Sequence, residues 1–259
     1  MTKPLALVTG GSSGIGLELA LLLAKDGHDL VISGFSDRVQ HAASEHRSLG
    51  AEVIAFSSDL TTAEGNEVVI KVVRDTERPL KIAVLNAGIS IGGTFLEIPP
   101  ERHLDLISLD VISPVRLTYA LLPGMIESGG GKCLFVSSLS ATTPTPYETV
   151  YGSSKAFLSS FGHSLREELV GTNVGITILQ PGATATAFHA KAGMGSTAFA
   201  DNNWKNDPAL VARQGYHALL TGETCVIGGD EATREAARLN KVLSEKEKAH
   251  RHAMLARPH

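Results

Sequence analysis

One stretch near the start of the chain decides the predicted fold: Leu5-Ala6-Leu7-Val8-Thr9-Gly10-Gly11-Ser12-Ser13-Gly14-Ile15-Gly16. An apolar run typical of a strand meets a glycine-rich turn, and apolar residues at helical spacing follow directly. This order is typical of the corner that holds a pyrophosphate in a dinucleotide-binding fold. Gly10 permits a sharp turn, Gly14 a close approach of backbone to phosphate, and Gly16 close packing of helix on strand. The amides at the helix N-terminus then face the anion. An ordinary glycine-rich loop is the alternative, because the spacing is G-x-x-x-G-x-G rather than G-x-G-x-x-G.

Size and composition favour one domain with a large core. The chain has 259 residues, 43% of them hydrophobic, and a net charge of −4, which argues against nucleic-acid binding. Cys133 and Cys225 lie in apolar stretches and are predicted to be core residues. Met1-Thr2-Lys3-Pro4 leads directly into the first strand, and no segment is expected to be a signal peptide or to span a bilayer. The predicted location is the cytoplasm.

Strand-like and helix-like segments alternate along the chain. Further strands are predicted at 29–33, 51–56, 82–85, 132–136, 174–179 and 224–227, and further helices at 37–49, 63–75, 100–127 and 150–170. This alternation predicts an α/β fold with a doubly wound parallel sheet of about seven strands and helices on both faces. Ligands are then expected at the carboxyl ends of the strands.

Two stretches depart from the alternation. Residues 184–206 are rich in small and polar residues and are predicted to be a mobile loop or a broken helix, a candidate lid. Residues 231–259 are dense in charge and are predicted to be a tail outside the domain of residues 1–230. A solvated helix that frays is the expected form of this tail, and a contact with a partner is the alternative.

The predicted helix near residue 150 carries a candidate catalytic pair. Tyr151 and Lys155 are four residues apart and share one helical face. A free phenol has a pKa of ~10, and a neighbouring cation is expected to lower it. Ser138 follows a strand-like run and could bind a substrate oxygen at the same edge of the sheet.

Five motifs occur in one order, and together they resemble the short-chain dehydrogenase/reductase family over residues 4–230. They are Thr9-Gly10-x-x-x-Gly14-x-Gly16, Asn86-Ala87-Gly88, Ser138, Tyr151-x-x-x-Lys155 and Pro181-Gly182. The resemblance implies a Rossmann-like fold and a bound nicotinamide dinucleotide. The residues that it places at the cofactor are Thr9, Gly10, Ser12, Ser13, Gly14, Ile15, Gly16, Asp59, Leu60, Asn86, Ala87, Gly88, Tyr151, Lys155, Pro181, Gly182, Thr184 and Thr186.

The resemblance also implies the catalytic roles. Tyr151 is the general acid in reduction and the base in oxidation, Lys155 holds the nicotinamide ribose, and Ser138 positions the substrate oxygen. Ser137 is the neighbouring alternative, but Ser138 has the thirteen-residue spacing to Tyr151 that is usual in the family.

One residue departs from the family pattern. Asp110 occupies the place where the family often has an asparagine that helps to hold a proton-relay water. An aspartate could accept a hydrogen bond from the same water and attract the ammonium of Lys155. Two hypotheses follow, an intact relay with a shifted pH profile or crippled catalysis.

The end of the second strand bears on the choice between NADP and NAD. The usual acid for a ribose hydroxyl is absent at Gly34-Phe35, and Asp37 is expected to cap the next helix. A 2′-phosphate could therefore enter, with Ser36 and Arg38 as candidate donors. Ser13 argues the other way, because phosphate-preferring relatives often have a basic residue there. NADP is the predicted cofactor and NAD the alternative.

The leading functional prediction is an oxidoreductase that moves a hydride between a nicotinamide and a carbonyl or secondary alcohol. A catalytically impaired regulatory protein of the same fold is the alternative, and a lyase or epimerase is a third. The substrate is predicted to be apolar, bound by residues 90–94, 141–147 and 184–206. No metal site is predicted, and His163, His189 and His217 are scattered. The resemblance suggests a homodimer or homotetramer built on the two long helices.

Overall fold

A computed structural model describes residues 3–258 of the chain. Met1, Thr2 and His259, which belong to the predicted N-terminal lead and the end of the predicted tail, lie outside the described residues.

Seven parallel strands form a single sheet in the order β3-β2-β1-β4-β5-β6-β7. The strands are β1 (Leu5–Thr9), β2 (Asp29–Gly34), β3 (Val53–Ser57), β4 (Leu80–Leu85), β5 (Gly131–Val136), β6 (Val174–Pro181) and β7 (Cys225–Gly228). The chain builds outward from β1 to β3 on one side and from β4 to β7 on the other. The order therefore reverses between β1 and β4, where sheets of this kind bind their ligands. The predicted doubly wound fold is confirmed.

Helices cover both faces of the sheet. They are α1 (Gly14–Lys25), α2 (Arg38–Ser48), α3 (Ala63–Asp75), α4 (Pro100–Ile107), α5 (Ser113–Glu127), α6 (Thr149–Glu168), α7 (Phe188–Lys191), α8 (Pro208–Thr221), α9 (Glu231–Val242) and α10 (Glu245–Ala256). A π-helical turn, Ser108–Ile112, joins α4 to α5, so the helix predicted over 100–127 is continuous but locally widened.

Alternate residues of the strands build two separate cores, because successive side chains of a strand point to opposite faces. On one face, residues such as Leu7 and Phe135 pack against α3, α5 and α6. On the other face, residues such as Val8 and Leu134 pack against α1, α2 and α8. Cys133 is buried as predicted, whereas Cys225 is only half-buried, and both are free thiols.

The sequence predicts no segment that spans a bilayer, and the continuous helix Pro100–Glu127 bears on that expectation. It is long and apolar enough, by length and composition alone, to cross a bilayer, with a mean hydropathy of 1.3 over its most apolar window. Within that window 44% of the residues are buried. Leu117, Leu121 and Met125 pack against the sheet, as in the core helix of a globular domain, so the helix is not a clear membrane span.

The tail that the sequence predicts to be a fraying helix is instead two ordered helices. Residues 231–256 form α9 and α10, separated by a short turn in which Ser244 and Glu247 make a capping box. Lys248, His252 and Ala256 of α10 are buried, so this helix packs against the body of the protein. The buried positions of α10 recur every four residues, but they are one lysine, one histidine and one alanine. The sequence therefore shows no apolar periodicity that would have predicted this packing. The boundary predicted at residue 230 remains a prediction.

Residues 184–206 form a broken helix, one of the two predicted alternatives. The segment contains α7 and a short turn at Ala198–Ala200. A bridge between Thr184 and Asn206 joins its ends. A segment whose ends are fixed and whose middle spans the site could open as a unit, and movement as a lid remains a prediction.

A threonine hydroxyl links β1 to the end of β4. Thr9 Oγ1 accepts hydrogen bonds from the backbone amides of Asn86 at 3.0 Å and Ala87 at 3.1 Å. The side-chain amide of Asn86 donates hydrogen bonds to the backbone carbonyls of Thr9 and Gly10. Both chain segments that border the switch point are therefore fixed to each other.

Replacing Thr9 with valine is expected to destabilise the fold by about 1–3 kcal/mol, because two part-buried amides lose their acceptor. Urea unfolding measures the change. Thr221→Val is the matched control, since Thr221 is exposed on α8 and water replaces its bonds. Equal stability of the two variants would contradict this role of Thr9.

Candidate active site

The glycine turn after β1 adopts a conformation that only glycine accommodates well. Gly10 and Gly14 have φ values of +66° and +57°. A Cβ at Gly16 would lie 2.4 Å from both Gly10 O and Asn86 Nδ2, so a side chain there would separate helix from turn. The turn therefore brings the start of α1 directly over the end of β1.

The start of α1 fits an anionic group. Ser13 is the N-cap residue in extended backbone, and within residues 3–258 its side chain accepts no bond from the helix amides. The first amides of the helix are thus available, and the helix dipole adds to their attraction for a phosphate. Ser12 and Ile15 flank this site, as the sequence predicts.

The segment after β6 faces the glycine turn from the other side of the switch point. Thr186 Cγ2 would lie 3.0 Å from a Cβ at Gly14, so the two segments are in near contact. Gly182 packs closely on Thr233 of α9, and Thr184 donates a hydrogen bond to Gly182 O at 2.8 Å. Pro181 ends β6 at the same edge. A dinucleotide pyrophosphate and its nicotinamide end would therefore be held between the turn and this segment.

The adenosine side is formed by the ends of β2, β3 and β4. Asp59 and Leu60 follow β3, and Asp59 Oδ1 accepts bonds from the amide and hydroxyl of Thr61. Ala87 and Gly88 follow β4 beside Asn86. β3 ends at Ser57, so Asp59 lies two residues beyond the strand, in the loop before α3.

The end of β2 is open to solvent. Phe35 and Arg38 are exposed, and Ser36 is half-buried. Asp37 holds the N-cap position of α2 as expected, but in the described part of the chain its carboxylate accepts no helix amide. Its backbone is already helical, with φ −60° and ψ −9°, which is unlike a capping residue. Instead, Asp37 accepts a hydrogen bond from Ser57 Oγ at 3.1 Å.

The predicted catalytic residues come together at the carboxyl ends of β4 and β5. Tyr151 and Lys155 are both buried on the inward face of α6, and Lys155 Nζ lies 5.6 Å from the centre of the Tyr151 ring. Ser138 begins the turn after β5, and its hydroxyl acts on Tyr151 in the direction that lowers the phenol pKa. Ser137 points away from the site, donating to Lys155 O and contacting Ser159 Oγ. The geometry thus favours Ser138 over Ser137.

A buried ion pair lies next to Tyr151. Lys155 Nζ is 3.0 Å from Asp110 Oδ2, and the two side chains are 5% and 0% exposed. The other carboxylate oxygen, Oδ1, accepts a hydrogen bond from the Ile89 amide at 3.0 Å. Gly88 leaves the room that this pair needs, since a Cβ there would lie 2.9 Å from Lys155 Nζ. Burial raises the pKa of Asp110 above its ordinary value, and the Lys155 ammonium opposes that rise.

The tyrosine itself is covered. Tyr151 is 8% exposed, and the ring of Phe188 from the 184–206 segment lies 5.5 Å from its own. Burial raises the pKa of Tyr151 above its ordinary value; Ser138 opposes the rise, and the charges of Glu148 and Asp110 add to it. That Lys155 lowers this pKa remains a prediction.

The three segments predicted to bind the substrate meet over Tyr151. Gly92 donates its amide proton to Ala192 O at 2.8 Å, and Gly93 to Tyr147 O at 2.9 Å. Of the three scattered histidines, His189 lies in this region and is buried. Across residues 3–258 there is no group of three or more metal-ligating side chains.

Sequence reasoning missed two further residues of this region, Glu148 and His252, and included Ser90 only as part of the predicted substrate segment 90–94. Ser90 and His252 both contact the buried carboxylate of Glu148. Glu148 lies two residues before the predicted helix of Tyr151 and could have been noticed as the single charged residue between Lys132 and Lys155. Nothing in the local sequence around His252 indicates its partner, because the two residues are 104 positions apart.

Comparison with known proteins adds independent findings. The family model for short chain dehydrogenases matches residues 4–195. The ketoacyl reductase HetN of Nostoc sp. is 30% identical over 183 residues, which are 70% of this chain and 64% of HetN, so the match spans just under two thirds of that relative.

Two solved structures are similar over most of the chain. A short-chain dehydrogenase from Sphingobium yanoikuyae in complex with NADPH is 26% identical, with a TM-score of 0.82, covering 93% of this chain and 96% of that one. The 3-oxoacyl-(acyl-carrier protein) reductase from Brucella melitensis in complex with NAD is 26% identical, with a TM-score of 0.76, covering 90% and 98%. Both the glycine turn and the helix of Tyr151 lie within residues 4–195, which the family model matches.

Replacing Asp110 with asparagine is expected to lower the pKa of Tyr151, because a negative charge is removed while the Lys155 ammonium stays. Ultraviolet titration of the phenolate measures this, with Tyr151→Phe as the subtracted reference. Asp105→Asn, at an exposed carboxylate of α4, is the control. An unchanged titration of Tyr151 in Asp110→Asn would show that the ion pair does not act on the phenol.

Proposed function

The chain belongs to the short-chain dehydrogenase/reductase family and is an NAD(P)-dependent oxidoreductase, and we propose that it reduces a carbonyl compound with Tyr151 as the proton donor. The observation that carries this proposal is the convergence of Ser138, Tyr151 and Lys155 beside the switch point of the sheet. These side chains come from the turn after β5 and from one face of α6.

The dinucleotide, when bound, supplies the hydride, and the protein has to orient the substrate and manage one proton. Ser138 can donate a hydrogen bond to the substrate oxygen, which fixes the carbonyl near Tyr151. Tyr151 then gives its phenolic proton to that oxygen as negative charge develops on it. Lys155 would hold the ribose hydroxyls of the nicotinamide nucleoside, and its ammonium favours the phenolate that forms.

Asp110 is proposed to hold the ammonium of Lys155 in place between turnovers. Burying the ammonium of Lys155 without a partner would be costly, and the carboxylate of Asp110 compensates its charge. Of the two hypotheses for Asp110, this contact supports an intact site with a shifted pH profile. An ordinary phenol is already protonated at neutral pH, and burial raises the pKa of Tyr151 further, as suits a proton donor in reduction.

A catalytically impaired regulatory protein of the same fold is the second candidate. Two observations favour it, the ion pair that occupies the Lys155 ammonium and the Phe188 ring against Tyr151. Turnover by the wild-type protein distinguishes the two candidates.

NADP is the proposed preferred cofactor. The exposed end of β2 presents Arg38 at the first position of α2, and a 2′-phosphate there would gain a charge-assisted bond. Ser36 offers a hydroxyl beside it. The carboxylate of Asp37 accepts a hydrogen bond from Ser57 at the end of β3, so its side chain is turned toward β3.

The proposed substrate is an apolar carbonyl compound. The apolar wall near Tyr151 consists of Phe188, which lies against its ring, and of Phe199 and Tyr147, which pack with Met194 in one cluster. The name of HetN, a ketoacyl reductase, is consistent with a substrate that combines a carbonyl with an apolar chain.

Assembly and location remain predictions. A homodimer or homotetramer is supported by apolar side chains that the long helices expose, namely Leu104, Ile112, Val115, Tyr119 and Phe157. Such side chains on adjoining helices are suited to burial against a second copy. A cytoplasmic location is likewise carried forward from the sequence.

Tyr151→Phe is expected to reduce the rate of NADPH oxidation by carbonyl compounds about 10²–10⁴-fold, because the proton donor is lost. The assay uses a panel of aldehydes and ketones that includes acetophenone. Tyr119→Phe is the control, since its hydroxyl is on a ring that is 84% exposed on α5. Equal rates in wild type and Tyr151→Phe would refute the role of Tyr151, and binding of NADPH without turnover by wild type would favour the regulatory candidate.

Arg38→Ala is expected to lower kcat/KM for NADPH about tenfold and to leave that for NADH unchanged, because one charge-assisted bond to the 2′-phosphate is removed. Arg47→Ala, at an exposed position later in α2, serves as the control. A tenfold preference of the wild type for NADH would overturn the assignment of NADP.

A further inference from the structure

The C-terminal helix α10 lies on the segments that border the catalytic tyrosine. Lys248, His252 and Ala256 form its buried face. Ala256 packs with Ala192, Met194 and Phe199 of the 184–206 segment. This helix therefore forms the outer layer of the substrate side of the site.

A buried carboxylate ties α10 to the start of the catalytic helix. Glu148 is 3% exposed and precedes α6 by one residue. Its Oε1 accepts a hydrogen bond from Ser90 Oγ at 2.6 Å, and its Oε2 lies 3.1 Å from His252 Nε2. Since a buried carboxylate without partners is costly, removing His252 would leave an oxygen of Glu148 uncompensated.

Tyr147, the residue before Glu148, has an unfavourable backbone conformation and is also contacted by α10. Tyr147 has a φ of +66°, which is unfavourable for a residue with a bulky side chain. Arg257, which ends α10, donates from Nε to the Tyr147 hydroxyl at 3.0 Å, and its guanidinium lies over the Tyr147 ring. Gly93 donates to the Tyr147 carbonyl from the opposite side.

A series of ring contacts leads from His252 to Tyr151. The His252 ring lies 6.0 Å from that of Phe199, which stacks on His189 at 4.6 Å. His189 meets Phe188 edge to face, and Phe188 lies against Tyr151. Burial lowers the pKa of His189 to about 4, with the charge of Lys205 adding to the effect, so this ring is neutral in the stack.

We propose that His252 and Glu148 are positioning residues that fix α10 on the 184–206 segment and so set the apolar wall that selects the substrate above Tyr151. This inference rests on the proposed function for its substrate-selection part. The mechanical part, that the pair holds both α10 and the wall, stands on the contacts alone.

His252→Ala tests both parts. Hydrogen–deuterium exchange of the full chain is expected to speed up about tenfold or more in 245–256 and in 188–200, while β1 and α1 keep their protection. For acetophenone, KM is expected to rise about tenfold with kcat changed far less, and the Kd of NADPH is expected to stay within about twofold.

Two variants separate positioning from general damage. His252→Gln keeps a donor to Glu148 and is expected to restore slow exchange and most of the KM. His250→Ala, at an exposed position of the same helix, is expected to behave like wild type.

Unchanged exchange in His252→Ala, or faster exchange in α10 without any change in 188–200, would overturn the mechanical coupling. Faster exchange in both segments with an unchanged KM would overturn substrate selection. If wild type binds no dinucleotide or reduces no carbonyl, the proposed function fails, and the exchange measurements still decide whether the pair holds the wall.

Discussion

A single buried ion pair constrains the catalytic end of this protein. The ammonium of Lys155 and the carboxylate of Asp110 are both withdrawn from water and lie 3.0 Å apart. Neither charge is stable there without the other, so the elements that carry them, α6 and the π-helical turn, have to approach closely. The glycine at position 88 leaves the space, and the widened turn places Asp110 on the inward face.

The consequence for chemistry is a phenol that keeps its proton. Lysine would favour the phenolate if it stood alone, but Asp110 offsets its charge, and burial under Phe188 acts in the same direction. A protonated tyrosine beside a serine donor suits the reduction of a carbonyl. The aromatic wall and α10 then determine which carbonyl compound reaches that proton, because they cover the site from the substrate side.

The doubly wound parallel sheet and the grouping of Ser138, Tyr151 and Lys155 could be predicted from sequence, because strand–helix alternation, the glycine turn and the Tyr151–Lys155 spacing act over a few residues. The predicted strands and helices agree with the structure to within a few residues at their ends. Three features could not be predicted. The burial of Tyr151 depends on a ring 37 positions away, the packing of α10 depends on Glu148, and the side chain of Asp37 turns to Ser57 instead of capping α2. Each arises from a contact between segments distant in sequence, which local periodicity does not contain.

The pH dependence of kcat/KM in both directions tests the central claim most directly, that the ion pair and burial keep Tyr151 protonated as an acid. With NADPH and a carbonyl substrate, the rate is expected to be level through the neutral range and to fall only near or above the ordinary phenol pKa of ~10. With NADP and the corresponding alcohol, kcat/KM is expected to rise with pH from the neutral range toward the phenol pKa, because Tyr151 then acts as a base. A reduction rate that already falls between weakly acidic and neutral pH would contradict the claim, since Tyr151 would then be losing its proton there.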